Sequence, residues 1–324
     1  MYFFQFPRTT FRLLLVLFLL SFANEAFGSS RQLFSLYQPP PMALTYHKGD
    51  LLYGYIPVSI LWYGKFSPAQ KSIVVDFLNS LTPGTKVPVS SPRDAPSVSQ
   101  WWQTVETYLE KAGKKQTSLV LTNQISDENC SLGKILKKSQ ITRLARRVNS
   151  KPGGLTIVLT GQDVAVEGFC SSNCGYHGWH KRVEKNMKNS RSAFIWVGNS
   201  VTQCPGQCAW PFYKPIYGPQ TDPLVAPNGD VGIDGMVVNI ASLLAGAVTN
   251  PYGKGYFQGP ATAPLEAASA CPGVYGKGAY PGYAGELLVE KTSGASYNAV
   301  GTTGRRYLLP ALVDPKTLQC ATLV

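Results

Sequence analysis

Histidine is nearly missing from this chain: 324 residues include only His47, His177 and His180. That scarcity removes most general-base chemistry, which leans on imidazole. No serine sits in a G-x-S-x-G elbow, and no glycine-rich phosphate loop follows a strand-like segment. Acidic residues are sparse too, 18 against 30 basic ones, for a net charge of +12. Such a chain is drawn to polyanions, of which acidic polysaccharide, anionic lipid and nucleic acid are the common ones. The cations scatter, apart from clusters at 111–115, 134–147 and 181–191, and no recognition motif accompanies them. We therefore expect no nucleic-acid partner. Long apolar runs are also lacking beyond the N-terminus, where none reaches about 18 residues, so no membrane span is expected.

The one early apolar run, Leu13 to Leu20, follows Arg8 and Arg12 and precedes Ala26-Phe27-Gly28. A basic start, a short apolar stretch and small residues for cleavage read as a secretory signal over 1–28. Its removal takes away Arg8, Arg12 and Glu25 and hardly changes the charge. The mature chain is then expected outside the cell, where cysteines oxidise. There are seven, at 130, 170, 174, 204, 208, 271 and 320, so one must stay unpaired. Cys130 is the candidate, because the other six punctuate regions rich in glycine, proline and aromatics. Cys271 is expected to pair with Cys320, and Cys170, Cys174, Cys204 and Cys208 to form two further bridges. Cys170, Cys174, His177 and His180 also give C-x3-C-x2-H-x2-H, a conceivable zinc cluster. Its spacing is not that of a standard finger, and export favours disulfides. Asn129-Cys130-Ser131 is the only N-glycosylation sequon.

After a proline-containing lead-in over 29–43, with Gln38-Pro39-Pro40-Pro41 near its end, the pattern is α/β. Strands are expected at 57–63, 119–121, 155–160 and 193–197, with helices at 68–81, 99–112 and 139–148. Pro83 to Pro96 reads as a loop. Beyond Gly198 regular signals fade, except for short strands near 286–290 and 306–309 and one helix over 233–248. That helix carries Met236, Val237, Val238, Ile240, Leu243, Leu244, Ala247 and Val248, and is apolar on nearly every side. Such a helix is a buried one. Gly235, Ala241, Ser242, Ala245 and Gly246 leave little side chain, so other structure must pack close. Asn250-Pro251 stops it.

Four carboxylates, Asp163, Glu167, Asp234 and Glu266, are candidates for an acidic site. A glycosidase needs two of them across a cleft. Tyr213, Tyr217, Tyr252, Tyr256, Tyr275, Tyr280 and Tyr283 are candidates for stacking on sugar rings. Tyrosine among glycine and proline also serves simply to cover loops.

Several long motifs together carry a resemblance. They are Leu44-Thr45-Tyr46-His47, Leu61-Trp62-Tyr63-Gly64-Lys65-Phe66, Asp163-Val164-Ala165-Val166-Glu167-Gly168-Phe169-Cys170, the run from Cys204 to Val289, and Arg306-Tyr307-Leu308-Leu309-Pro310-Ala311-Leu312. With these the chain closely resembles the plant EXORDIUM / phosphate-induced protein family, over nearly all of the mature sequence. The resemblance implies an apoplastic or wall-associated protein linked to growth by cell expansion, with no established biochemical activity. Cys130 and His180 depart from the family pattern. A second, weaker similarity concerns the fold. Ser242-Leu243-Leu244-Ala245-Gly246-Ala247-Val248-Thr249-Asn250-Pro251 looks like the metal-site helix of zincin proteases. A zincin needs ligands one turn apart and a glutamate base beside the first. Those places hold Ser242, Gly246 and Leu243, which can neither bind zinc nor activate water.

The expectation is therefore a single domain over 44–324 of mixed α/β (α+β) class, with a mixed sheet, flanking helices and a buried helix near 233–248. The fold is zincin-like but degenerate, and its second half is loop-rich and stapled by disulfides. No catalytic residues, metal or cofactor are expected. The function expected is a secreted binding or signalling factor, with an acidic wall polysaccharide or a wall or receptor protein as partner. The alternatives are a hydrolase of wall polysaccharide and a structural wall protein held by charge.

Overall fold

A computed structural model describes residues 42–82, 95–148, 153–171, 173–181 and 190–324. The secretory signal over 1–28, the Gln38–Pro41 segment and most of the Pro83–Pro96 loop lie outside those residues.

From Met42 onward the chain builds a five-stranded sheet. Its strands are β1 (Gly54–Tyr63), β2 (Thr117–Asp127), β3 (Leu155–Thr160), β4 (Gly175–Lys181) and β5 (Arg191–Gly198), in the order β2-β1-β3-β5-β4. The first four in that order run parallel, and β4 closes the edge antiparallel to β5, with Tyr176 opposite Trp196. Burial on both faces makes β1, β3 and β5 nearly continuous apolar runs. The period-2 alternation of a strand divides their side chains between two cores. Ile56, Val58, Ile60, Trp62, Leu155, Ile157, Leu159, Ile195 and Val197 join one core. Leu61, Tyr63, Val158, Phe194 and Trp196 join the other.

Three helices cover the first face. Helices α1 (Pro68–Asn79) and α2 (Val98–Lys111) each begin with a capping box, Ser67 with Gln70 and Ser97 with Gln100. Each box satisfies two otherwise orphaned N–H groups at the helix start. The third is α4 (Val231–Thr249), capped by Asp230 Oδ1, which accepts from Ile233 N at 3.0 Å. The opposite face is covered by α3 (Lys138–Arg147), which buries Ile141, Leu144 and Ala145.

Strand β4 was not expected from sequence. Gly175 and Gly178 dilute its β-propensity, yet both are required where they stand. A Cβ on Gly175 would lie 2.7 Å from Leu243 Cδ1, and one on Gly178 would lie 3.0 Å from the Phe194 ring. Another departure concerns α4. At 19 residues it is long and apolar enough to cross a membrane by composition, contrary to the sequence reading. It is a core helix, with 78% of its most apolar window buried.

The second half adds short two-stranded ladders. Thr45–Tyr46 pairs with Tyr256–Phe257, Leu288–Val289 with Ser296–Tyr297, Ala299–Val300 with Arg306–Tyr307, and Leu312–Val313 with Cys320–Ala321. Ladders of this length hold only with help. Cys271–Cys320 ties down the ladder that ends at Cys320–Ala321; Cys170–Cys204 and Cys174–Cys208 staple the chain after β5 to the loop before β4, while Cys130 is free and buried.

Candidate functional site

Helix α4 brings together residues that are far apart in sequence. Ser242 Oγ donates back to Val238 O at 3.0 Å, and Leu243 packs on Gly175 of β4. Gly246 faces His177, from β4, and Glu266, from the loop beyond the helix. His177 Nε2 stands 2.8 and 3.0 Å from the two Glu266 oxygens. Asn250 Nδ2 donates to Glu266 Oε1 at 2.6 Å, and Asn250 Oδ1 in turn accepts from Gly255 N at 2.7 Å. The carboxylate is thus buried but paired, which offsets its desolvation. This cluster fills the space against Gly246 of α4. In sequence His177 and Glu266 were visible only as unrelated candidates, one in a Cys/His cluster and one in a list of acids, and Asn250 only as the end of the helix. Among the described residues, no group of three or more His, Cys, Asp or Glu is placed to hold a metal ion.

The other candidate carboxylates have separate surroundings. Asp163 is exposed and paired with Lys134, whose hydrogen bond holds the carboxyl below its ordinary range. Glu167 accepts from Lys138 N at 3.0 Å. Asp234 is buried, and that burial pushes it up to about 7 despite hydrogen bonds from Asn228 N and Nδ2 at 2.9 and 2.6 Å. It sits twelve residues before Gly246, which is about 18 Å along a helix. Glu266 abuts Gly246, so Asp234 and Glu266 are farther apart than the ~10 Å limit for a glycosidase pair. Asn129 is exposed beside Cys130.

The disulfides organise a groove. A helical turn, Pro205–Cys208, carries Cys204 and Cys208 to the loop that holds Cys170 and Cys174. Asn239 of α4 anchors this turn by donating to Cys208 O at 2.9 Å. The chain continuing from it forms one wall with Gln207, Trp210, Pro215, Tyr217 and Pro219; Pro272, Val274, Tyr280 and Pro281 form the other. The second wall starts beside Cys271, itself tied to Cys320. The walls meet where Gly282, at φ +92°, lies against Pro219, and a Cβ there would come within 2.6 Å of that ring. The cavity measures about 510 Å³. Tyr217 is 87% exposed and Tyr280 64%, so both rings offer a free face. Trp210 packs against Tyr275 at 5.7 Å between ring centroids, and its indole N–H has no partner among the described residues. Of the other tyrosines singled out, Tyr213 and Tyr283 line a second, smaller pocket beside this one. Tyr256 and Tyr275 are buried, and Tyr252 stacks with Arg191, 4.1 Å from its ring.

These features define a disulfide-stapled α/β protein with a mixed sheet, a closed polar cluster beside its central helix, and an open aromatic groove. Comparison with known proteins supplies the family. Residues 44–323 match the family model described as phosphate-induced protein 1 conserved region. The chain is 57% identical to Protein PHOSPHATE-INDUCED 1 of Nicotiana tabacum, over 97% of this chain and 99% of that protein. It is 54% identical to Protein EXORDIUM of Arabidopsis thaliana, over 97% and 98%. Protein EXORDIUM-like 2 of the same plant is 52% identical, over 97% and 98%. The chain belongs to this phosphate-induced and EXORDIUM family of plant proteins. No solved structure matches it.

Proposed function

We propose that this chain is an exported, wall-associated plant protein that promotes growth by cell expansion, and that it acts by binding wall polysaccharide rather than by catalysis. The observation that carries this reading is the groove between Trp210, Tyr217 and Tyr280. The C–H face of a pyranose ring stacks on an exposed aromatic ring, and a concave site with a few placed donors gives it orientation. Trp210 Nε1, Gln207 and the two tyrosine hydroxyls supply those donors and acceptors. Disulfides at the root of both walls support a preformed groove, which lowers the entropy cost of binding. The leader-like residues 1–28 support export, and the growth role rests on the family resemblance. The same reading takes α4 as the metal-site helix of a zincin-type lobe whose ligand positions have turned to packing.

The test is a glycan array probed with the mature protein, wild type and Trp210→Ala, at two salt concentrations. A wall oligosaccharide should be retained at both, and Trp210→Ala should lose it while still melting cooperatively, at a lower temperature because the ring also packs on Tyr275. Equal retention by the variant would refute the groove as the site.

A further inference from the structure

Helix α3 presents a face that the groove does not use. Between Glu128 and Asp163 the chain has no acidic residue, yet Lys134, Lys137, Lys138, Arg143, Arg146 and Arg147 fall in this span. All six are exposed. The acids around them are already engaged. Asp163 is paired with Lys134, Glu167 accepts from Lys138 N, and Asp127 accepts from Ser131 N at 3.0 Å. Glu128 lies 3.9 Å from Lys71, and Arg147 donates to Ser131 Oγ at 3.0 Å. Lys137, Arg143 and Arg146 have no ion-pair partner among the described residues.

Local stability does not account for this arrangement. Cations near a helix C-terminus complement its dipole, and Arg146 and Arg147 satisfy that preference. Lys137 and Lys138 occupy the opposite end, at the N-cap and first turn, where the dipole disfavours positive charge. Lysine is also not among the residues that cap a helix well. With Ile141, Leu144 and Ala145 turned inward, Arg143 and Arg146 share the outward side, one turn apart.

We propose that this outward face of α3 docks a carboxylate-bearing polysaccharide, a polyuronate, as a surface separate from the aromatic groove. Guanidinium groups pair with carboxylates through two parallel hydrogen bonds, a geometry that an ammonium cannot match. A chain of acidic sugars repeats such carboxylates, and the arginines one turn apart meet them in sequence. The aromatic ring beside the face, Tyr176, is half-buried, covered by Lys138 and packed against Trp196, so it leaves no open face on which nucleic-acid bases would stack. Its one large exposed apolar neighbour, Ile135, is too little for insertion into a lipid surface.

The test compares binding of the mature protein to polygalacturonate and to its fully methyl-esterified form, which keeps the sugar backbone without the charge. The wild type should bind polygalacturonate about ten-fold or more tightly than the ester, with the difference shrinking as salt rises. Lys137→Glu/Arg143→Glu/Arg146→Glu should lose that margin at an unchanged melting temperature. The milder Arg143→Gln/Arg146→Gln pair serves if the reversal disturbs folding, and should lose much of the margin. A control carrying the same charge change elsewhere, Lys115→Glu/Lys254→Glu/Lys291→Glu, should keep it. Equal losses in the control, retention by the α3 variants, or tighter binding to phosphatidylglycerol vesicles or a single-stranded oligonucleotide would each overturn the proposal. Trp210→Ala should leave this binding intact, so failure here is distinct from failure of the groove reading.

Discussion

Glu266 occupies the space that a side chain at Gly246 would need: a Cβ placed there would lie 2.6 Å from Glu266 Oε2. On a solvent-facing helix, glycine to alanine gains up to about 1 kcal/mol. Here the added methyl must displace a carboxylate that also holds His177 and Asn250. Gly246→Ala should therefore destabilise, by ~1–3 kcal/mol for overpacking. Gly246→Glu should cost more, since it sets a second carboxylate against the first in a buried site. Neither variant should gain metal binding. Thermal melts decide it: a midpoint that stays or rises in Gly246→Ala would mean that the packing account is wrong.

Asp234 gives the fold a pH dependence. Burial lifts its carboxyl to about 7, while the unfolded chain titrates near the ordinary value of ~4. The folded state thus holds a proton that the unfolded state has lost. This contribution to stability is fully present below pH ~4 and is lost as pH rises through ~7, on the order of 4 kcal/mol at most. Asp234→Asn cannot titrate, so its stability should be much flatter across that interval. Denaturant titrations at pH 4, 5.5 and 7 would show it. A wild-type slope that persists unchanged in the variant would assign the effect elsewhere.

Mass mapping of the unreduced protein should recover Cys170–Cys204, Cys174–Cys208 and Cys271–Cys320, with Cys130 alkylated only after unfolding. Cys130 is buried, and that burial raises its thiol pKa, so its reactivity in the native protein should be low. Replacing both Cys271 and Cys320 by serine should cost roughly 2–4 kcal/mol. Recovery of Cys130 within an intramolecular bridge would contradict this pairing.

The purified mature protein should contain no stoichiometric zinc and cleave no peptide bonds, because Ser242, Leu243 and Gly246 offer neither ligand nor base. Elemental analysis finding about one zinc per chain, in the four-ligand geometry of such sites, with an activity lost on chelation, would reverse the reading of α4.

The parallel strands and capped helices were legible in sequence because their information is local. Strand β3 falls at its expected bounds, and the box of Ser67 with Gln70 starts α1 where Ser67-Pro68 indicates. The apolar wrap of α4, with glycines at close approaches, foretold its burial. Strand β4 escaped notice because its glycines are explained only by Leu243 and Phe194, which lie elsewhere in the chain. The His177–Glu266–Asn250 cluster escaped for the same reason, since three separate segments supply it. The groove was half visible: its tyrosines were candidates, but nothing local separates the exposed Tyr217 and Tyr280 from the buried Tyr256 and Tyr275.

The apolar surface of α4 has a consequence before folding begins. A chain exported as proposed must pass 19 residues that resemble a membrane anchor through a translocation channel without being released sideways into lipid. In the unfolded chain Asp234 is ionised; as the fourth of these residues it costs less than the roughly 2.5–3.5 kcal/mol of an aspartate at the centre of an inserting segment, but it still disfavours insertion. Together with Asn239 it works against a stop-transfer event. Once folding is complete, the same carboxyl lies in the core, pushed up to about 7, and carries its charge there only as pH rises past that value. If the chain is exported as proposed, the group whose burial costs the finished fold at neutral pH also disfavours release of the nascent chain into lipid.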